Sequence, residues 1–278
     1  MINRELVNPQ SIVVVGGSNN VHKPGGRLVR NLLDGKYKGE LYVVNKKETD
    51  VQGLKSYPSV KDIPETEMAI LSIPGPACPD AVEVLAKEKG VKAFIVVSAG
   101  FGEETKEGAA LEARMLQIIN EAGASLIGPN CIGLMNMNFH GVFTLPIPEF
   151  HPEGVDFISS SGGTALFIIE SALTKGLRFS SVWSVGNCTQ NGVEDILEYM
   201  DKNFDPVMDS KIKMLYLEQI KNPDKLLFHA SSLIRKGCKL LLSKPEVQIP
   251  ESVLLHHTLA LSRMLILRLR LCSVKPES

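Results

Sequence analysis

The sequence predicts an α/β protein of two consecutive domains, each built on a parallel sheet. Three observations carry that prediction. Strand-length β-branched runs alternate with longer helical stretches, the alternation breaks after Ile127, and it restarts at Val155.

In the first half, Ile12 to Val15, Leu41 to Val44, Met68 to Ile73 and Ala93 to Val97 read as buried strands, because short apolar runs without polar alternation suit a sheet covered on both faces. Arg27 to Leu33, Pro79 to Lys89 and Gly108 to Ala122 carry helical periodicity between them, so right-handed crossovers and a Rossmann-like unit follow. Gly128-Pro129-Asn130-Cys131 then opens a loop-like stretch from Met135 to Gly154 that contains Pro146, Pro148 and Pro152. The domain boundary is expected there. Beyond it come strand Val155 to Ile158, helix Thr164 to Leu173, strand Ser181 to Val185, helix Val193 to Met200, strand Lys213 to Leu217 and helix Asp224 to Arg235, with Leu240 to Leu242 able to add one more strand. This second unit reads as flavodoxin-like. The division expected is 1–134 for the first domain, 150–242 for a truncated second one, and 243–278 for an aberrant tail.

Bulk properties narrow the function classes. The formal net charge of −1 comes from interspersed acids and bases, so no basic face points to nucleic acid. Five cysteines lie scattered without CxxC or Cys/His spacing, which argues against a zinc site and a disulfide framework and favours a reducing cytoplasm. No apolar run approaches the roughly 20 residues that span a bilayer, and the expectation is a soluble protein with no membrane partner.

Four loops are expected at one sheet edge, where open α/β sheets bind ligands. Val15-Gly16-Gly17-Ser18-Asn19-Asn20, with Gly25-Gly26 before the next helix, lets backbone N–H groups approach a phosphate; a tight glycine turn without a ligand is the plainer alternative. An NAD site would place an acid at the end of the second strand, whereas Asn45-Lys46-Lys47 stand here. Ammonium groups there favour a phosphorylated ribose, as in CoA or NADP, unless the pair is simply solvated. Ile73-Pro74-Gly75-Pro76 and Ser98-Ala99-Gly100-Phe101-Gly102 complete the edge. In the second domain, Ser159-Ser160-Ser161-Gly162-Gly163 lies between strand and helix, where hydroxyls and free N–H groups at the helix start suit a phosphoryl group; an ordinary serine cap is the alternative.

Together with Ile127-Gly128-Pro129-Asn130-Cys131-Ile132-Gly133, Gly186-Asn187 and Leu215-Tyr216-Leu217-Glu218, these motifs resemble the NDP-forming acyl-CoA synthetases, and the layout is similar to that of the succinyl-CoA synthetase alpha subunit. The likeness covers roughly residues 5 to 238. It implies a CoA-binding subunit that acts through acyl phosphate and phosphohistidine with an ATP-grasp, beta-type partner. That partner would hold ATP or GTP with Mg, and the substrate would be a small carboxylic acid. By the resemblance, Gly16, Gly17, Ser18, Asn19, Asn45, Lys47, Pro74, Ser98, Ala99, Gly100 and Asn130 would line the CoA site. Ser160, Ser161, Gly162 and Gly163 would hold phosphate, and Glu218 would orient the phosphorylated histidine, His257. An oligomer is expected.

The likeness fails in the tail. The family's histidine loop reads approximately S-S-H-T-G-A-L after a strand ending K-A-G, whereas Leu255-His256-His257-Thr258-Leu259-Ala260-Leu261 follows Ser243-Lys244-Pro245-Glu246 here. Codons for residues 243 to 246, 252 to 262 and 274 to 278, regrouped one base out of phase, can spell family strings. The segment beyond about Lys239 is therefore expected to be out-of-frame translation, and the chain alone to be inactive. Two alternatives stay open: a noncatalytic CoA- or acyl-CoA-binding regulatory protein, and an NADP-dependent oxidoreductase, the latter disfavoured by the lack of a Tyr-x-x-x-Lys donor set.

Overall fold

A computed structural model describes residues 1–243. After a short helix α1 (Arg4–Val7), the chain alternates β1 (Ser11–Val15), α2 (Pro24–Asp34), β2 (Glu40–Val44), β3 (Asp50–Val51), β4 (Leu54–Tyr57), β5 (Met68–Leu71), α3 (Cys78–Glu88), β6 (Ala93–Val96), α4 (Lys106–Glu121) and β7 (Ser125–Ile127). These strands form a seven-stranded sheet in the order β3-β4-β2-β1-β5-β6-β7, parallel except for the β3–β4 pair. β1 lies between β2 and β5, so successive connections leave it in opposite directions. The crevice for a ligand in such a sheet lies at this switch point, beyond the carboxyl ends of β1 and β5.

The apolar runs form strands because both faces are covered. Val13 and Val15 belong to a core with Leu71, Phe94, Val96, Val82 of α3 and Ile119 of α4. Ile12 and Val14 point to the other core, with Leu28, Val29 and Leu32 of α2. That second core continues into the next domain through Leu134, Trp183, Val185, Ile196 and Leu215, so the two domains share apolar packing.

The remaining elements are β8 (Gly133–Asn136), β9 (His140–Val142), β10 (Phe150–Ser159), α5 (Gly162–Leu173), β11 (Phe179–Ser184), α6 (Val193–Lys202), β12 (Ile212–Tyr216), α7 (Pro223–Arg235) and β13 (Lys239–Ser243). The second sheet runs β13-β12-β10-β11-β8-β9, with β10 to β13 parallel and the β8–β9 hairpin antiparallel. Of the stretch from Met135 to Gly154, expected as loop, residues 143–149 hold no strand, while the β8–β9 hairpin before them and the start of β10 after them correct the rest. The sheets change over at Gly133. The expected strand over Leu240 to Leu242 lies inside β13, paired with β12 in parallel register. Among the described residues no helix is long and apolar enough to cross a membrane.

Asn31 of α2 fastens the hairpin to the first domain: its Nδ2 donates to Val142 O at 2.7 Å and to Thr144 O at 3.0 Å. A buried ion pair ties the second sheet together. Lys213 Nζ lies 2.5 Å from Asp156 Oδ2, while Ser181 donates to Asp156 Oδ1 and Trp183 Nε1 to Ser181 Oγ.

Candidate functional site

The loop after β1 is shaped by its glycines. Gly16 adopts φ +91°, and a Cβ on Gly25 would fall 1.9 Å from Gly16 O, so the start of α2 rests directly on the loop. Lys23 caps α2 without a side-chain hydrogen bond, and the N–H groups of Gly17, Ser18, Gly25 and Gly26 find no partner among the described residues. Free donors at a helix start favour an anion.

Side chains hold this cradle from behind. Asn45 Nδ2 donates to Gly17 O at 2.7 Å, and Asn45 Oδ1 accepts from Lys47 N at 2.8 Å. Asn19 donates from N and Nδ2 to Glu48 Oε2, at 2.9 and 3.0 Å, and its Oδ1 accepts from Gln52 N. Asn19 and Asn45 therefore shape the loop through their side chains. Gln52 Nε2 donates to Ser18 O and Gly26 O, leaving Gln52 Oε1 buried with no partner among the described residues. An open acceptor beside the loop fits a nucleotide, whose hydroxyl and amino groups donate. Lys46 and Lys47 are exposed at the rim.

The next two loops touch each other. Ser98 Oγ donates to Ile73 O at 2.6 Å, so this hydroxyl braces the Pro74 loop, and Gly75 packs against the carbonyls of Ala99 and Gly100. Gly100 N donates to Glu103 Oε1 at 2.9 Å.

From here the edge runs into a cavity of about 650 Å³ between the domains. Val97, Asn130 and Cys131 contribute from one side, and Ser160 to Gly163, Gly186, Asn187, Glu218 and Gln219 from the other. The second wall is itself a switch point, since β10 lies between β11 and β12 and the loops after β10 and β12 diverge there. Ser161 caps α5, its Oγ accepting from Thr164 N at 3.4 Å, and the N–H groups of Gly162 and Gly163 have no partner among the described residues. Ser160 is 7% exposed, and its buried Oγ has no partner among the described residues. A buried hydroxyl and two N–H groups at a helix start are the donor types that suit a tetrahedral oxyanion. Glu218 is exposed on the loop after β12.

Cys131 is no nucleophile here: burial pushes its thiol up to about 12, so it stays protonated at neutral pH. Among the described residues no group of three or more His, Cys, Asp and Glu side chains is placed to hold a metal ion.

Two groups of expected residues are thus assembled. Gly16, Gly17, Ser18, Pro74, Ser98, Ala99 and Gly100 share the first edge. Asn130, Ser160, Ser161, Gly162, Gly163 and Glu218 share the cavity. His257 lies outside the described residues. The Asn19–Glu48–Gln52 brace escaped the sequence, although Gln52-Gly53 carries a turn signal: both residues have positive φ, +54° and +86°, in a two-residue hairpin loop between β3 and β4.

Comparison with known proteins agrees with this geometry. A CoA-binding domain family matches residues 10–137, and a succinyl-CoA ligase-like flavodoxin domain family matches residues 152–263, the last part beyond the described residues. The alpha subunit of ADP-forming acetate–CoA ligase II from Pyrococcus furiosus is 35% identical over 233 residues, which span 82% of this chain and 49% of that subunit. ADP-forming acetate–CoA ligase I from Archaeoglobus fulgidus is 31% identical over 91% of this chain and 36% of its own length. The chain therefore spans half or less of these curated relatives. Among solved structures, a Pyrococcus horikoshii protein superposes with a TM-score of 0.78 at 34% identity, covering 87% of this chain and 54% of the other. An acetyl-coenzyme A synthetase from Candidatus Korarchaeum cryptofilum, solved with phosphate and ADP, gives 0.79 at 28% identity, covering 88% and 52%.

Proposed function

Because the chain belongs to the family of ADP-forming acyl-CoA synthetases by both of its domains, we propose that it is the CoA-binding portion of such an acid–thiol ligase. The observation that carries this reading is the cavity where the two carboxyl edges meet, with Val97, Asn130 and Cys131 on one side and the Ser160–Gly163 helix start on the other.

In this reading the N–H groups of Gly17, Ser18 and the start of α2 hold a phosphate of CoA, and the Lys46 and Lys47 ammonium groups face its ribose phosphate. CoA supplies the thiol that takes up the acyl group. Ser160, Gly162 and Gly163 hold the phosphoryl group of an acyl phosphate, where N–H donors fixed in advance stabilise charge without reorganising. Glu218, at the cavity mouth, orients a phosphorylated histidine; His257 stands at the family's spacing for it, beyond the described residues. A carboxylate fixes the imidazole tautomer, and neutral imidazole is nucleophilic. ATP or GTP with Mg belongs on an ATP-grasp partner, the acid is a small carboxylate, and the assembly is an oligomer working in the cytoplasm. Residues 1–134 and 150–242 are the two working domains. Residues 243–278 are read out of frame, and the coding DNA across Lys239 tests that directly.

Isothermal calorimetry on the intact chain tests the reading. CoA is expected to bind at least about tenfold more tightly than dephospho-CoA, which one good charge-assisted contact of about 1.4 kcal/mol supplies. Equal affinities, or binding of NADP with none of CoA, would sink it.

A further inference from the structure

Between the CoA edge and the cavity, one side chain touches both. Asn187 follows β11, and its Nδ2 donates to Glu103 Oε2 at 2.5 Å and to Glu112 Oε2 at 3.3 Å. Its Oδ1 accepts from Asn130 Nδ2 at 3.4 Å, and its N–H donates to Pro129 O at 3.0 Å. Each partner has a second attachment. Glu103 Oε1 accepts from Gly100 N at 2.9 Å, Glu112 Oε2 accepts from Gly102 N at 3.1 Å, and Thr189 Oγ1 donates to Glu112 Oε1. Asn130, held at φ +56°, donates from its N–H to Ser98 O at 2.9 Å.

The loop Ser98–Glu103 and the cavity wall at Asn130 and Asn187 are therefore one hydrogen-bonded unit spanning the two domains. Its charge is unusual. Two carboxylates converge on one neutral amide, and neither pairs with a cation there among the described residues. Burial works to raise the Glu103 carboxyl, but the Asn187 amide and the loop N–H groups outweigh it and hold it below the usual carboxylate range. The amide is thus the device that keeps two anions at the domain boundary. Both carboxylates belong to the first domain, so losing the Asn187 amide unties the Glu103 loop from the second-domain wall.

We propose that Asn187 is a positioning residue that couples the two sites, so that a ligand seated on the Ser98–Gly100 loop preorganises the cavity for its oxyanion. This rests on the proposed function, since it takes CoA as the loop's ligand and a phosphoryl group as the cavity's. Ordering the loop fixes Glu103, Glu103 fixes Asn187, and Asn187 fixes Asn130, which removes conformational freedom that the oxyanion would otherwise have to quench. Coupling of this kind is reciprocal, and each ligand must tighten the other by the same factor.

Calorimetry with inorganic phosphate, in the absence of CoA and at saturating CoA, reads the coupling as a ratio of two affinities. In the intact chain, CoA is expected to tighten phosphate at least about fivefold, the lower end of ordinary coupling. In Asn187→Ala the ratio should fall to about one. Glu103→Ala, on an exposed loop, should give the same loss and cover the case in which the first variant does not fold, and the double variant should add nothing further. A merely structural residue would weaken phosphate by one common factor with and without CoA. A ratio that survives in either variant, or a ratio of one in the intact chain, overturns the proposal. Failure of CoA to bind at all would instead strike the functional reading beneath it.

Discussion

Single residues here serve geometry as much as ligands. Gly16, Gly17, Gly25 and Gly26 stand out in the sequence as a phosphate approach; among the described residues the N–H groups of Gly17, Gly25 and Gly26 have no partner, whereas that of Gly16 donates to Val44 O at 2.9 Å. Yet the tightest constraint on Gly25 is internal, because a Cβ would collide with the carbonyl of Gly16 at 1.9 Å. Gly25→Ala should therefore cost about 1–3 kcal/mol in stability, as overpacking does, and displace the start of α2 from the loop. Thermal unfolding and CoA calorimetry on the variant check both effects together; unchanged melting with unchanged affinity would show that the loop can yield. The same dual use explains what residue reading missed. Asn19, Asn45 and Ser98 read as ligand contacts in the sequence, and the folded chain adds a second task, since their side chains also bond Glu48, Gly17 O and Ile73 O.

At the scale of elements, the longer parallel strands were legible because Val, Ile and Leu runs buried on both faces leave a continuous apolar signal, although β4 and β7, parallel but short, escaped it. The short antiparallel pieces were not. β8 and β9 carry Gly133, Asn136, His140 and Gly141 among a few apolar residues, and Pro146, Pro148 and Pro152 beyond them suggest loop. What makes them strands is tertiary: β8 pairs with β11, and Asn31, 111 residues before Val142, closes the far side. Asn31 itself is buried at 2% exposure, and its amide serves two carbonyls. Asn31→Ala leaves both acceptors without their donor and should cost about 1–3 kcal/mol in urea unfolding. A change within about 0.5 kcal/mol would mean that water replaces the amide and that the hairpin is not fastened through it.

For the whole molecule, function follows from two sheets meeting at their carboxyl edges. Each edge alone is a common anion-binding arrangement; together they enclose a cavity between Val97, Asn130 and Cys131 on one side and the Ser160–Gly163 helix start on the other, which the proposed function uses for an acyl phosphate. The outline of this arrangement was visible in the order of the glycine- and serine-rich loops, whereas the contact between domains was not, because it depends on pairs such as Asn130 and Asn187, separated by 57 residues. If the proposed function holds, the purified chain should form no acyl-CoA from acid, CoA and ATP until an ATP-grasp partner is supplied. Turnover by the chain alone would contradict that division of labour. The most direct test of the account is amide hydrogen exchange of the chain with and without saturating CoA. Slowed exchange is expected at Gly16–Asn20, Gly25–Arg27, Asn45–Glu48 and Ser98–Glu103, the loops of the first carboxyl edge. Protection confined to other segments, with CoA bound, would place the ligand elsewhere and contradict the account.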